Sequence, residues 1–597
     1  MTTQSQIARP SSFPLTEKQM AVLEPGTRLI EAGPGAGKTR AIVARFKEQA
    51  HRSSRGIALL SFTNAAVNEA KLRCADSPHL VEAPHFLGTF DHFFHRYIVT
   101  PYIVSNHGVM PTYLASWDDL PDHLARIRTQ SGGIGIRLSR FRRRANKQLY
   151  IESSYLSHAE KQYWERLTPQ AQAWIQGEAS RVHIRLLDRH IYDTSSARQI
   201  AFDVLQQGST SKYMLRLSRR FTEVIVDEFQ DCDESEHRLL ELLTASGVSI
   251  VVVADPDQAI YEFRQVSNNA YARYREKIPQ EEIVELDVCH RSTQAICGMV
   301  TSLRSVGRSP VVPSAETTNY PTKTFVIVGS GNKLKEAAQQ LNTQYGVKND
   351  SFRVLSHATS DARKISIGGI EPPNGSSITE SFLTSLVTLR NSGNPKMRLA
   401  AVRRLERSIL DLFQWPDATS HGNRVLELES LGLGPTQLRI LVGRLQESSK
   451  AWKSPDDCGK GLRNFIKIEL GNQRHSLIPT LSNKLSKPTS KLWTYWEEST
   501  TSNPNSGVPA LWANIHAVKG AEFDSVLLAL PQRTVAGRSH VLDDWSANIN
   551  SEQRRVLYVG ASRAKRLLML GTPKTRLRQL IQILERDQVS YEVIHAK

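Results

Sequence analysis

Residues 32–39 read Ala32-Gly33-Pro34-Gly35-Ala36-Gly37-Lys38-Thr39, directly after the short apolar stretch Leu29-Ile30. A strand that runs into spaced glycines and then Lys-Thr has the pattern of a phosphate-binding loop. Glycine is needed because phosphate oxygens must approach the main chain with no Cβ in the way. The main chain from Ala32 through Gly33, Pro34, Gly35, Ala36 and Gly37 is therefore expected to wrap the phosphates. Lys38 is expected to neutralise the outer two, and the Thr39 hydroxyl to hold Mg²⁺. The following helix, expected at about 41–49, adds the positive end of its dipole. Ala32 stands where the usual pattern has its first glycine.

Residues 223–231 read Glu-Val-Ile-Val-Asp-Glu-Phe-Gln-Asp. An apolar strand ending in two carboxylates is the expected complement of the loop. Asp227 is placed to hold Mg²⁺ through water, and Glu228 to polarise an attacking water. The two stretches together predict ATP hydrolysis, with ATP and Mg²⁺ as the groups bound.

Other apolar runs flank these two. Ile57–Leu60, Val224–Val226 and Ile250–Val253 join Leu29-Ile30 in the first part of the chain. Phe325–Val328, Phe352–Leu355, Val526–Leu528 and Leu567–Leu570 form a later set. Continuous apolar runs bounded by turn residues suit parallel sheets covered on both faces. The chain thus reads as two α/β cores, each interrupted by a long, mainly helical insertion. The first insertion is basic, densest at Arg140-Phe141-Arg142-Arg143-Arg144; the second has helical periodicity at 398–414 and 437–446.

At 597 residues the chain is too long for one core. Its formal charge of +17 and isoelectric point near 9.6 favour a polyanionic partner. Five scattered cysteines, never in C-x-x-C spacing, argue against disulfides and zinc or iron–sulfur sites and suit a reducing cytoplasm. The N-terminal stretch has no apolar signal core, and no run is long enough to span a bilayer, so no membrane association is expected.

Further motifs follow in order: Leu15-Thr16-Glu17-Lys18-Gln19, Ser61-Phe62-Thr63-Asn64-Ala65-Ala66, Gly88-Thr89-Phe90, Asp255 to Arg264, His290-Arg291-Ser292-Thr293, His516 to Phe523, and Arg554 to Ala564. This ordered set resembles the superfamily 1 helicases of the UvrD/Rep/PcrA family, over residues 15–300 and 510–575. The resemblance implies two RecA-like domains with ATP between them. It places the first core at 1–100 and 219–290, with an insertion at 101–218. The second core falls at 291–365 and 506–597, with a reduced insertion at 366–505.

The resemblance also assigns roles. Gln19 reads the adenine edge, while Arg40 and His290 sandwich the base; His290 stands where the family usually has tyrosine. Gln258 senses the γ-phosphate, Arg291 and Arg563 act as arginine fingers from the second core, and Glu522 binds the ribose. Phe62, Tyr261 and Phe263 offer stacking faces to DNA bases. Thr63, Asn64, Thr89, Arg264, His357 and His516 hold the sugar–phosphate backbone. Phe263 replaces a common tryptophan, and Asp91 a usual histidine.

The activity implied is ATP-driven 3′→5′ translocation on single-stranded or tailed duplex DNA, in repair, replication restart or antiphage defence. The alternative is a DNA-end sensor that licenses a partner, as in Gabija-type antiphage systems with their GajB-like helicase subunit. The chain ends soon after Arg563, so any nuclease is expected on a separate subunit.

Overall fold

The computed structural model describes residues 14–120, 125–129, 132–143, 148–152, 155–156, 158–260, 268–315, 322–348, 351–367, 377–391, 395–414, 424–501, 511–531 and 539–596. Two six-stranded parallel sheets carry the expected apolar runs. The first contains β1 (Leu29–Ala32), β2 (Gly56–Ser61), β3 (Phe86–Thr89), β4 (Phe221–Val226), β5 (Ser249–Ala254) and β6 (Ile283–Leu286). Their order is β6-β1-β5-β4-β2-β3. Leu29 of β1 pairs with Val252 on one side and Ile283 on the other, while Val226 of β4 pairs with Val252 and Leu60.

The order positions the site. The chain passes from β1 to β2, and β4 and β5 later fill the gap between them. The loops after β1, β4 and β5 therefore emerge side by side at the carboxyl edge, where open α/β sheets bind ligands.

The second sheet holds β7 (Thr324–Val328), β8 (Phe352–Ser356), β9 (Leu511–Asn514), β10 (Phe523–Ala529), β11 (Ala564–Thr572) and β12 (Tyr591–His595), in the order β9-β8-β10-β11-β7-β12. Its central strands show why continuous apolar runs belong in parallel sheets. Val326, Leu528 and Leu568 enter one core with Trp545 and Tyr558, whereas Phe325, Ile327, Leu527 and Met569 enter another with Leu334 and Phe352. Successive side chains point to opposite faces, and both faces are covered.

All eight expected strands are present. Four further strands, β3, β6, β9 and β12, are the edges of the two sheets. The helix expected at about 41–49 is longer, Lys38–Arg52, and starts at Lys38 because Gly37 turns left-handed just before it.

The described chain divides into two compact units: Met1–Val99, Ile200–Gly369 and Ala510–Lys597 form one, and Thr100–Gln199 with Ile370–Pro509 the other. Both sheets lie in the first unit. Residues 200–218, read as the end of the first insertion, group with the sheets.

In the second unit, the first insertion packs Trp117, Ile127, Ile136, Phe141 and Ile175 into its own core. Besides helices such as His158–Arg166 and Pro169–Asp188 it carries short strand pairs. The arginine run falls on one of these, with Phe141–Arg143 antiparallel to Leu149–Ile151, rather than on a helix face. Alternation explains it: Phe141 points into the core and Arg142 out of it. The second insertion is helical, and the expected stretches form Pro395–Leu410 and Pro435–Ser448 around Phe382, Leu405, Leu438, Leu462 and Trp496. Among the described residues no helix is long and apolar enough to cross a membrane.

Candidate active site

The loop after β1 has the backbone of an anion cradle. Gly35 and Gly37 have φ of +73° and +79°, a left-handed conformation that turns successive N–H groups toward one concavity. A Cβ at Gly35 would lie 2.6 Å from the Cys289 sulfur and 2.8 Å from the Arg291 Cβ; one at Gly37 would lie 2.6 Å from Gln19 Nε2. Glycine is thus required at Gly35 on both conformational and steric grounds, and at Gly37 on conformational ones.

Gln19 is buried behind the loop. Its Nε2 donates to the Ala36 carbonyl at 3.1 Å, and its backbone N–H and Oε1 complete a capping box with Thr16. The His290 N–H donates to the Gly35 carbonyl at 2.9 Å and its ring is exposed, so His290 is not a core histidine. Arg40 is partly exposed on the first turn of the helix. Beside Gly33, a cavity of about 180 Å³ opens among Glu31, Arg275, Arg304 and Arg308.

Lys38 Nζ lies 3.5 Å from the Ala32 carbonyl and 3.9 Å from Asp255 Oδ2. Asp255 is fully buried, and its Oδ2 also accepts from Gln258 Nε2 at 2.7 Å and from the Tyr558 hydroxyl at 3.0 Å. Its Oδ1 is buried without a hydrogen-bond partner among the described residues. Two groups expected to face a γ-phosphate, Lys38 and Gln258, thus converge on one carboxylate.

At the end of β4, Asp227 and Glu228 are adjacent and constrained. Glu228 is left-handed, with φ +54°, a conformation that a residue carrying a Cβ holds only when its surroundings impose it. Its N–H donates to Asp227 Oδ1 at 3.0 Å, and its Oε2 accepts from Gln230 at 2.5 Å. Burial pushes the Asp227 carboxyl up to about 7, with the Glu228 charge adding to the effect. For Glu228, burial acts upward too, but the Lys519 and Lys38 ammoniums carry it down to about 2. Thr39 and Asp227 line one small cavity of about 10 Å³ with Ser61, whose buried hydroxyl has no partner among the described residues.

The donor set fits a hydrated divalent cation that takes its remaining ligands from a phosphate. One carboxylate and one hydroxyl suit Mg²⁺, which keeps its waters, better than a protein-only cage. Among the described residues no cluster of three or more His, Cys, Asp or Glu side chains could hold a metal alone.

The second-sheet groups arrive from three segments. Arg291 Nη1 donates to the Ser562 carbonyl at 3.2 Å, and Nη2 pairs with Glu522 at 2.5 Å. Arg563 is 3% exposed and donates to the Val559 carbonyl at 3.0 Å and the Ser562 hydroxyl at 2.8 Å. Burial and then the Arg291 charge lower Arg563 to about 10, against the opposing pull of Glu228 and Glu522. Glu522, expected on a ribose, here holds an arginine instead.

The motif reading missed Asp255, Tyr558 and Lys519 as site residues, although each lies inside a quoted motif. It also missed ion pairs of two buried carboxylates: Asp257 with Arg304 at 3.1 Å, and Glu31 with Arg308 at 2.7 Å and Arg275 at 3.2 Å.

The expected nucleic-acid residues divide into several groups. Phe62 is partly buried with its ring 5.0 Å from that of Phe90; Thr63 and Asn64 are exposed at the start of the helix Asn64–Arg73. Thr89 is 8% exposed and its hydroxyl caps the His92 N–H at 3.3 Å, so it is committed to a helix start. His357 and His516 follow β8 and β9 with rings 5.7 Å apart; burial and the neighbouring His357 lower the pKa of His516. Tyr261, Phe263 and Arg264 lie outside the described residues.

Arg140 and Arg142 do not form an open phosphate-binding face. Arg140 pairs with buried Glu160 at 3.3 Å. The Arg142 guanidinium sits 3.8 Å over the Tyr155 ring and donates to the Ser139 and Phe141 carbonyls. Arg144 lies outside the described residues.

Comparison with known proteins agrees with this geometry. The UvrD/REP helicase N-terminal domain matches residues 15–279, and the UvrD-like helicase C-terminal domain matches 497–575. The chain is 23% identical over 376 residues to the putative ATP-dependent DNA helicase YjcD of Bacillus subtilis, covering 59% of this chain and 46% of that protein. It is 25% identical over 355 residues to the ATP-dependent DNA helicase Rep of Escherichia coli, covering 57% and 49%. It is likewise 25% identical over 297 residues to DNA helicase II of Escherichia coli, covering 48% and 40%. The matched regions span half or less of the length of these curated relatives. With both halves of the motor matched, and the loop, the paired carboxylates and the arginines brought to one edge, the chain belongs to the UvrD/Rep helicase family.

Proposed function

We propose that this protein is a DNA-dependent ATPase that translocates 3′→5′ along single-stranded DNA and separates tailed duplexes. The observation that supports it most is the convergence of groups from both sheets on one edge. Lys38, Asp227, Glu228 and Gln258 come from the first sheet, and Arg291, Arg563 and Lys519 from elements of the second.

In this reading the left-handed glycines present main-chain N–H groups to the phosphates, and Lys38 leaves Asp255 to neutralise them. Thr39 and Asp227 would hold Mg²⁺, which would supply charge neutralisation to the phosphates. Glu228, kept ionised by its lysine neighbours, orients the attacking water. Gln258 reports the γ-phosphate, while Arg291 and Arg563 exchange protein oxygens for the charge that develops there. Arg40 and the exposed His290 ring flank the base, Gln19 stands behind the loop at its edge, and Glu522 is available to the ribose once Arg291 turns away.

DNA is held across the first core by Phe62, Thr63 and Asn64 and across the second by His357 and His516, with Tyr261, Phe263 and Arg264 completing the path. Stacking on such residues tolerates any base sequence. A strand-displacement assay tests the reading. A duplex with a 3′ single-stranded tail should be unwound with ATP and Mg²⁺, and one with only a 5′ tail should not. Equal unwinding of both, or none of either, counts against it.

A further inference from the structure

Two thiols meet beside the phosphate loop. Cys289 ends the short strand Val288–Cys289, and Cys297 lies near the start of the helix Gln294–Leu303. Ser292 touches both sulfurs. Its N–H donates to Cys289 Sγ at 3.4 Å, and its carbonyl accepts from Cys297 Sγ at 3.6 Å. The Cys297 thiol also hydrogen-bonds the Cys289 sulfur. That bond, against the effect of burial and helped by the Ser292 and Arg291 N–H groups, favours the Cys289 thiolate. The same bond and burial leave Cys297 protonated. A thiolate beside a protonated thiol has the arrangement of an oxidisable sulfur and its resolving partner.

Cys289 also supports the loop. Its sulfur lies 2.6 Å from where a Gly35 Cβ would stand, so it fills the space beside that left-handed residue. The His290 N–H donates to the Gly35 carbonyl and the Ser314 N–H to the Cys289 carbonyl, each at 2.9 Å. The main chain at 289 is pinned on both sides, and the thiol is the part that can turn. Bonding to Cys297 takes the sulfur off Gly35 and off the Ser292 N–H.

We propose that Cys289 and Cys297 form an oxidation site, which a peroxide converts to a disulfide that loosens the phosphate loop and lowers nucleotide affinity. This rests on the nucleotide reading of that loop. The Cys289 thiolate attacks one peroxide oxygen; an S–O bond forms, the O–O bond breaks, and hydroxide leaves with a proton as water. The Cys297 sulfur then attacks the Cys289 sulfenic acid; the S–S bond forms, the S–O bond breaks, and the oxygen leaves with the Cys297 proton as a second water. The thiols give up two electrons and the peroxide takes them. All five cysteines are free in the reduced chain. Cys289 is 2% and Cys297 1% exposed, so oxidation needs local opening, and the Gly35 turn is part of what covers Cys289.

The experiment treats the intact wild type, Cys289→Ser and Cys297→Ser with hydrogen peroxide, then measures binding of a non-hydrolysable ATP analogue with Mg²⁺. Non-reducing peptide mapping locates any disulfide, and each sample is measured again after dithiothreitol. In the wild type a 289–297 disulfide should form and affinity should fall about tenfold or more, with recovery on reduction. Cys289→Ser should keep its affinity within about threefold. Cys297→Ser should lose affinity without recovery, because an unresolved sulfenic acid oxidises on to sulfinic acid. Analogue bound beforehand should slow cross-linking about threefold or more, by holding the loop closed on Cys289.

A 289–297 disulfide with unchanged affinity overturns the proposal. So does oxidation at Cys74, Cys232 or Cys458 while 289 and 297 stay unlinked, or cross-linking at the same rate with and without analogue. If Cys289→Ser does not fold, a Cys297→Ser variant that recovers on reduction as fully as the wild type overturns it as well. An untreated wild type with no affinity for the analogue would instead overturn the nucleotide reading on which the proposal stands.

Discussion

Lys38 and Glu228 occupy opposite sides of the proposed chemistry, and their replacements should fail differently. Lys38→Ala removes the charge facing the outer phosphates, so nucleotide affinity and turnover should both fall. Glu228→Gln keeps the shape and the bond to Gln230 but loses the carboxylate, so the nucleotide should still bind while kcat drops by about 10²-fold or more. Nucleotide binding and steady-state turnover, measured together, separate the two; loss of binding in Glu228→Gln would show that the carboxylate has another role. Gly35→Ala should abolish tight nucleotide binding. It puts a Cβ 2.6 Å from the Cys289 sulfur at φ +73°, where a left-handed side chain alone costs about 1–2 kcal/mol. The positions of Asp227 and Glu228 were legible because they directly follow an apolar strand, and that of Lys38 because it closes a glycine-spaced loop. Asp255 and Lys519 were not, because what defines them is contact across long stretches of chain. Asp255 meets Tyr558 303 residues away, and Lys519 meets Asp231 at a separation of 288.

Strand legibility followed position in the sheet. Runs covered on both faces, such as Ile250–Val253 and Val526–Leu528, are almost purely apolar. Edge strands mix polar residues, as in Ile-Val-Glu-Leu of β6 and Tyr-Glu-Val-Ile-His of β12, and carry no such signal. The strand through the arginine run carries no signal for a related reason: charge density gives no period, and only Phe141 marks the alternation of a strand. Since Arg140 and Arg142 are engaged by Glu160 and Tyr155, replacing Arg140 and Arg142 should leave the salt slope of single-strand binding nearly unchanged. Titrating a labelled oligonucleotide at several salt concentrations checks it; a slope reduced by about 0.7 per arginine would show that these side chains contact phosphate.

The helix Pro169–Asp188 offers a pH test of the second unit. His183 is buried against Trp117, with its Nε2 3.2 Å from the Ser196 hydroxyl. Burial, helped by Arg143, lowers its pKa from 6.5 to about 4. Above pH 6.5 neither state is protonated and the stability is intact. As pH falls from 6.5 toward 4, only the unfolded chain takes up the proton, and about 3 kcal/mol should be lost. Urea midpoints of this unit at pH 7.5 and 5 should diverge in the wild type and converge in His183→Phe. Equal divergence in both would assign the acid sensitivity to other groups.

At the scale of the whole molecule, the order of motifs was enough to identify two motor cores. The sequence did not reveal how many of the proposed catalytic groups are already bound to protein oxygens. Lys38 and Gln258 meet at Asp255, Arg291 holds Glu522, and Lys519 spans to Glu228. The proposed hydrolysis would therefore require a rearrangement of groups from both sheets, and such a rearrangement is what a bound DNA strand could favour. The formal charge of +17 should make DNA binding strongly salt-dependent, so turnover must be compared at fixed ionic strength. The most direct measurement is steady-state ATP hydrolysis by the intact chain, at constant salt, with and without a saturating single-stranded oligonucleotide. Coupling through the shared edge predicts stimulation of about tenfold or more. Equal rates in the two conditions would contradict it.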